Sequence, residues 1–333
     1  MPTLQANVPL VLAPVTVTDK KGNFIDGLTV DDFRLTDEGK PQKIRMDTSD
    51  TVLAPVSLVV LIQASGISTP ALARIQRVGG LIKPLVIGER GQAAVIEFDD
   101  ELRLRTDFTA DSGAIGAAFM GTRSRSLRTA RLIDAVIEGV KMLDTRAPNN
   151  RRVMLILSES RDRGSQMNLA AAVELAQRAG VVVYPATYSA AASAFSSKSS
   201  DAPSMPVPPD PVEMTTNNPA ANSGARTSGN TAGTSRTANS VDLLGGAREL
   251  GRLGKANAAD ALARATGGRH LSFVTLGALE NVISRAGEEI HSQYLLSFVP
   301  QASGKDGPHQ IQVAIPSRPD AVIRVRPRYW PQK

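Results

Sequence analysis

"VVLIQASGIS", residues 59–68, opens as an unbroken run of β-branched and aliphatic residues and closes in small polar ones. A strand packed on one face alternates apolar with polar, whereas a strand buried on both faces of a parallel sheet needs no polar side. This run is of the second kind. Ligands of open α/β sheets lie beyond the carboxyl ends of the strands. The segment Gln63-Ala64-Ser65-Gly66-Ile67-Ser68 is therefore expected to border a crevice.

Outward from this strand, "QAAVIEFDD", "RRVMLILSES" and "GVVVYPATY" read as further apolar strands, with helices expected near 70–84, 111–119, 130–145 and 168–179. Such alternation implies right-handed crossovers and a largely parallel sheet covered on both faces. "FDDELRLRT" departs from it. Asp99-Asp100 is too short to be a crossover, so residues 101–108 are expected to form an antiparallel strand at an edge.

The two flanks are β-rich. Residues 8–50 show a strand from Val8 to Asp19, a turn at Gly22-Asn23 and a capped turn at Thr29. Residues 293–330 contain "YLLSFVP", "HQIQVAIP" and "AVIRVRPRYW", separated by turn signals. Neither piece buries enough surface alone. The economical reading joins 8–50 and 293–330 into one discontinuous β-sandwich beside an α/β domain of residues 55–292. Residues 190–240 are dominated by Ser, Thr, Asn, Ala, Pro and Gly and are read as a disordered insertion, because they cannot bury enough apolar surface to offset ordering. The expected fold class is α/β: a doubly wound, mostly parallel six-stranded sheet with a small β-sandwich built from the two chain ends.

Composition narrows the function. The 333 residues are 42% hydrophobic and 21% charged, as in a globular protein, and contain no cysteine, which excludes disulfides, thiolate metal sites and cysteine nucleophiles. The formal charge of +6 invites a nucleic-acid reading, but one Trp, four Tyr and eight Phe, few set among Lys and Arg, offer no stacking platform. No nucleic acid is expected. No run approaches the roughly 18 apolar residues of a membrane span, and "MPTLQANVPL" has no signal-peptide pattern. His270, His291 and His309 stand outside any catalytic motif and are read as surface or edge residues; no nucleophile elbow, phosphate loop or dinucleotide fingerprint occurs. An enzyme is not expected.

Taken in order, "VTVTDKKGNFIDGLTVDDFRLTDEGKPQKI", "SLVVLIQASGIS", "AAVIEFDD", "LIDAVIEGV", "RRVMLILSES" and "SQYLLSFVP" carry a resemblance. The chain resembles the von Willebrand factor type A fold, and more closely the bacterial VWFA-related proteins best known from Acidobacteria. The resemblance implies an adhesion or scaffold role toward a protein partner and an extracytoplasmic location, periplasmic or secreted. It also implies a metal-ion-dependent adhesion site for Mg2+ or Mn2+, built from Asp-x-Ser-x-Ser, a Thr from a second loop and an Asp after the fourth strand.

Carried over by position, the first Asp falls on Gln63, the first Ser on Ser65, and the second on Ile67 with Ser68 one place later. The Thr falls on Ala130, next to Thr129, and the last Asp on Glu159. Mg2+ takes near-octahedral oxygen ligands at about 2.0–2.1 Å and usually one or two carboxylates. Gln63 has no charge, and Ile67 and Ala130 have no side-chain oxygen. The expectation is a degenerate site with no cofactor; the alternative, Mg2+ or Mn2+ on Ser65, Ser68, Thr129 and Glu159, needs two register shifts. In place of a cation, Arg123, Arg125, Arg128 and Arg131, with Arg161 and Arg163 from the next loop, are expected to form a face that accepts an acidic protein segment by bidentate bonds. A purely structural envelope role predicts instead that these arginines are dispersed or paired with acids.

Overall fold

The computed structural model describes residues 10–47, 54–125, 128–147, 149–189, 257–300 and 307–331. The expected insertion 190–240 lies outside the described residues.

Strand β5, Val56–Gln63, is buried at every position. Its side chains alternate between two cores. Leu58, Val60 and Ile62 face one apolar cluster, and Val59 and Leu61 face another. Residues 58–62 are each 0% exposed, and burying each contributes roughly 1.5–3 kcal/mol before chain entropy is subtracted. A strand with two apolar faces needs a helical layer on each, and both are present. Helices α1 (Thr69–Ile75) and α2 (Ser112–Met120) cover the first face; α3 (Leu132–Asp144) and α4 (Leu169–Arg178) cover the second. Helix α5, residues 257–266, joins the second face through Ala258 and Leu262, while α6, Leu276–His291, joins the first through Leu279, Ile283 and Ile290.

The sheet is six-stranded and doubly wound. Beside β5 lie β6 (Gln92–Phe98) and β8 (Arg151–Ser158), both parallel to it. Beyond β8 come β9 (Val182–Thr187) and the short β10 (Leu271–Ser272), also parallel. The edge strand β7, Leu102–Thr109, pairs antiparallel with β6, as the short Asp99-Asp100 connection requires.

The helix expected over 70–84 is broken. It stops after Ile75 and is followed by a 3-10 turn at Gly79–Leu81 and a wide π-type turn at Lys83–Ile87. Pro84 cannot donate the bond a regular helix needs, and Gly79 packs so tightly on α2 that a Cβ there would lie 2.8 Å from Phe119 Cβ.

The chain ends form two four-stranded sheets. One has the order β13 (Val322–Arg324), β1 (Val11–Thr18), β11 (Tyr294–Phe298), β4 (Ile44–Asp47); the other runs β14 (Arg328–Tyr329), β12 (His309–Ala314), β2 (Arg34–Asp37), β3 (Lys40–Pro41). Val15, Val17, Phe33, Leu35, Leu296 and Phe298 are among the residues of their shared core. The turn before β2 is capped as expected: Thr29 N–H donates to Asp32 Oδ2 at 2.7 Å. His309 corrects the sequence reading. It is 1% exposed, with Nδ1 3.0 Å from Asp37 Oδ1, and Tyr329 donates to Asp37 Oδ2 at 2.7 Å. Pairing of β12 with both β2 and β14 brings these three side chains together from both ends of the chain, a meeting that no local pattern encodes.

Candidate functional site

The residues picked from three distant segments meet at the carboxyl ends of β5, β6 and β8. The β5–β8 ladder runs as far as Ile62 opposite Leu157. Past that point the Gln63 side chain takes over: Oε1 accepts the Glu159 N–H at 2.9 Å, and Nε2 donates to Ser65 Oγ at 2.8 Å. Ser65 Oγ in turn lies 2.9 Å from Ser68 Oγ. Gln63, Ser65 and Ser68 are all 0% exposed; Ile67 lies in the 3-10 turn Gly66–Ser68 between the two serines. Beneath them Tyr188 stacks at a tilt on Phe273, with ring centroids 5.6 Å apart. Burial pushes the Tyr188 hydroxyl pKa up, Ser68 opposes this and the Glu159 charge adds to it.

The second and third loops are stitched to one another. Ala130 and Arg163 exchange both backbone hydrogen bonds at 2.9 Å, which places Thr129 and Ala130 along the Glu159–Gly164 loop. Ala130 offers backbone only. Glu159 ends close to Arg163, Oε2 to Nε 3.4 Å.

This donor set does not suit a hard divalent cation. The amide NH2 of Gln63 points a positive hydrogen at Ser65 Oγ, and the one carboxylate among the carried-over positions, Glu159, is already beside a guanidinium. Oxygen ligands that are already hydrogen-bonded to each other also have fewer lone pairs to turn outward.

Four of the six arginines have intramolecular partners. Arg123 donates to the carbonyls of Met120 and Thr122. Arg125 approaches Glu97 at 3.9 Å. Arg131 binds Asp134 through Nε and Nη2 at 2.8 and 2.7 Å, and Arg163 faces Glu159. Arg128 and Arg161 are exposed and have no ion pair or hydrogen bond from their side chains among the described residues. Of the six guanidiniums, those of Arg125, Arg131 and Arg163 therefore stand beside a carboxylate, that of Arg123 is held on carbonyls with its charge uncompensated, and those of Arg128 and Arg161 stay uncommitted among the described residues.

Two acids that organise this rim were passed over in the sequence. Glu97, fully buried at the end of β6, accepts the Arg123 N–H at 3.2 Å and has Arg103 within 3.4 Å and Arg105 within 3.9 Å. Asp99, placed by the sequence only in the short connection after β6, is also fully buried and accepts from Glu101 N and Arg103 Nη1, each at 2.9 Å. Burial alone would raise the Asp99 pKa, but these bonds outweigh it and hold the group below the usual carboxylate range. The available signal was a glutamate inside an otherwise apolar strand, "AAVIEFDD", since a charge there must be paired. Asp134 is similar. Burial opposes its ionisation, yet the N–H groups of Gln166 and Met167, both at 3.0 Å, and Arg131 together lower its pKa.

No protein-family profile matches the chain, and no characterised protein matches it in sequence. Among solved structures it is similar to the vWF domain of the type V pili tip protein Mfa5 from Porphyromonas gingivalis, at 18% identity over 33% of this chain and 40% of that one, with a TM-score of 0.28. An aerotolerance-related membrane protein from Bacteroides fragilis is 11% identical over 70% of this chain and 99% of its own, with a TM-score of 0.42. Proximal thread matrix protein 1 from the mussel byssus, described with a zinc-occupied MIDAS motif, is 9% identical over 73% of this chain and 47% of its own, at 0.43. The chain spans less than half the length of the pilus-tip and byssus structures. Its central domain is a doubly wound α/β sheet of five parallel strands and one antiparallel edge, with helices on both faces. No helix among the described residues is long and apolar enough to cross a membrane.

Proposed function

We propose that this chain is a non-enzymatic, extracytoplasmic protein-interaction module of the type A architecture whose crevice works without a divalent cation. The observation that carries this reading is Gln63. Its amide bridges Ser65 and the Glu159 backbone, so a neutral hydrogen-bonded link stands where a metal-binding relative needs a carboxylate. Arg128 and Arg161 at the rim supply the remaining attraction, and the favoured partner is an acidic protein segment. A structural role is the second reading. It is favoured by the internal pairing of Arg123, Arg125, Arg131 and Arg163.

Two titrations test the proposal. Mg2+ and Mn2+ added to chelator-treated protein should give neither heat nor a rise in melting temperature up to millimolar concentration; a clear rise would overturn the metal-free reading, because a ligand of the folded state must stabilise it. A fluorescent decaglutamate peptide should bind saturably at low salt, weaken as salt screens the charges, and lose affinity at least tenfold in Arg128→Glu/Arg161→Glu. Absence of binding, or binding indifferent to that double change, would remove the acidic-segment reading and leave the structural one.

A further inference from the structure

A cleft of about 450 Å³ opens between the sandwich and the α/β domain, away from the strand-end crevice. One wall is the turn after β1. Asp19 accepts the N–H groups of Lys21 and Asn23 at 2.7 and 2.9 Å, which fixes the exposed Lys20 and Lys21 at the tip. The other wall is the segment leaving α5. Gly267, at φ +80°, turns the chain, and a Cβ on Gly268 would sit 2.0 Å from the Val183 carbonyl oxygen, so the backbone is pressed onto β9 and Arg269 emerges into the cleft. The walls stand close together, since a Cβ on Gly22 would lie 4.0 Å from Arg269 Nη2.

Charge in this cleft is out of balance. Asp260 pairs with Arg264 at 2.9 Å and stands 3.7 Å from His270. Glu289 pairs with Arg324 at 2.7 Å, and Arg285 donates to the Gly22 carbonyl at 2.8 Å. Asp19 is taken up by its own turn. Arg269, Lys20 and Lys21 are left without an ion pair or side-chain hydrogen bond among the described residues. Half-buried beside two other guanidiniums, Arg269 is held in an unfavourable state: burial first, then Arg324 and Arg285, lower its pKa. Concentrated like charge of this kind is favourable only with a counter-charge in place. The volume is that of a small-molecule site, and no Phe, Tyr or Trp side chain lines it, the one ring being the His270 imidazole.

We propose that this cleft binds a compact, multiply charged oxyanion of the phosphate or sulfate type, clamped by Arg269 on one wall and by Lys20 and Lys21 on the other. The guanidinium fork matches two oxygens of a tetrahedral anion, and the ammonium groups act as point charges on the rest. Because the two walls belong to different domains, the anion braces one against the other.

Inorganic pyrophosphate is the probe, titrated by calorimetry into the full chain at low ionic strength. One site is expected, with the melting temperature rising as it fills, and with affinity at least tenfold weaker in Arg269→Gln and in Lys20→Gln/Lys21→Gln. Ligand-free R269Q should melt at or above the parent, because it relieves like-charge crowding. Absence of heat up to millimolar pyrophosphate, unchanged affinity in R269Q, or a ligand-free R269Q that melts well below the parent would each overturn the site. Sedimentation with phosphatidic acid vesicles, lost in R269Q, would identify the anion as a lipid headgroup; pyrophosphate binding without sedimentation would identify it as a free anion.

Discussion

Replacing Gln63 with Leu tests the crevice directly, because the substitution keeps the side chain's approximate size and deletes only its polar atoms. Two hydrogen bonds go: the 2.9 Å bond from Glu159 N–H and the 2.8 Å bond to Ser65 Oγ. They are not equivalent. Ser65 keeps Ser68 as a partner at 2.9 Å, so that loss costs about 0.5–1.5 kcal/mol, whereas the Glu159 N–H loses its acceptor at a half-buried position and costs about 1–3 kcal/mol. The added apolar side chain, at a fully buried position, returns roughly 1 kcal/mol. The expected net destabilisation is about 2 kcal/mol. Urea unfolding followed by circular dichroism measures the total, and amide exchange localises it. Protection at Glu159 should fall about 30-fold if the opening free energy drops by about 2 kcal/mol. Unfolding shifted by less than about 0.5 kcal/mol, with Glu159 protection unchanged, would refute the claim that this amide extends the ladder between β5 and β8.

Asp134→Asn should cost about 2 kcal/mol at neutral pH, since the carboxylate accepts from Gln166, Met167 and Arg131. The folded pKa lies below the unfolded one, so this stability is complete above about pH 4 and is lost as pH falls through the folded value; urea midpoints of parent and variant should converge toward pH 2, and a gap that persists there would contradict the ionic origin. Gly287→Ala replaces a poor helix former with the best one, a gain of about 1 kcal/mol. The new Cβ, however, would lie 1.9 Å from the Leu85 carbonyl oxygen, and overpacking against backbone costs about 1–3 kcal/mol or more. A lower melting temperature is expected, and a higher one would show that α6 does not press on the Lys83–Ile87 turn.

What the sequence made legible followed from periodicity and connection length. The doubly buried β5 and the antiparallel β7 were both readable, the first from an apolar run and the second from a two-residue link. The helix over 70–84 was overextended because the apolar spacing continues through Gly79, Gly80 and Pro84, and it is backbone chemistry that interrupts it. The candidate site was legible as a set of positions but not as a bond network. Nothing in "QASGIS" says that the amide reaches the next loop, and nothing in "GTRSRSLRTAR" says which arginines are already engaged. Buried acids such as Glu97 and Asp99, and the Asp37–His309–Tyr329 cluster, depend on partners between 2 and 292 residues away along the chain. Long-range pairing is what a single sequence hides.

The first sheet of the sandwich places β1 between β11 and β13, with Thr16 opposite Arg324. The two ends of the described chain are therefore anchored in one small domain, and the α/β domain hangs from it as a closed loop. Tension applied through residues near Val11 and Tyr329 would load the rungs of β1 with β11 and of β14 with β12, and would bypass the strand-end crevice. Force carried through the sandwich would in this way leave the strand-end loops unloaded until the sandwich gives.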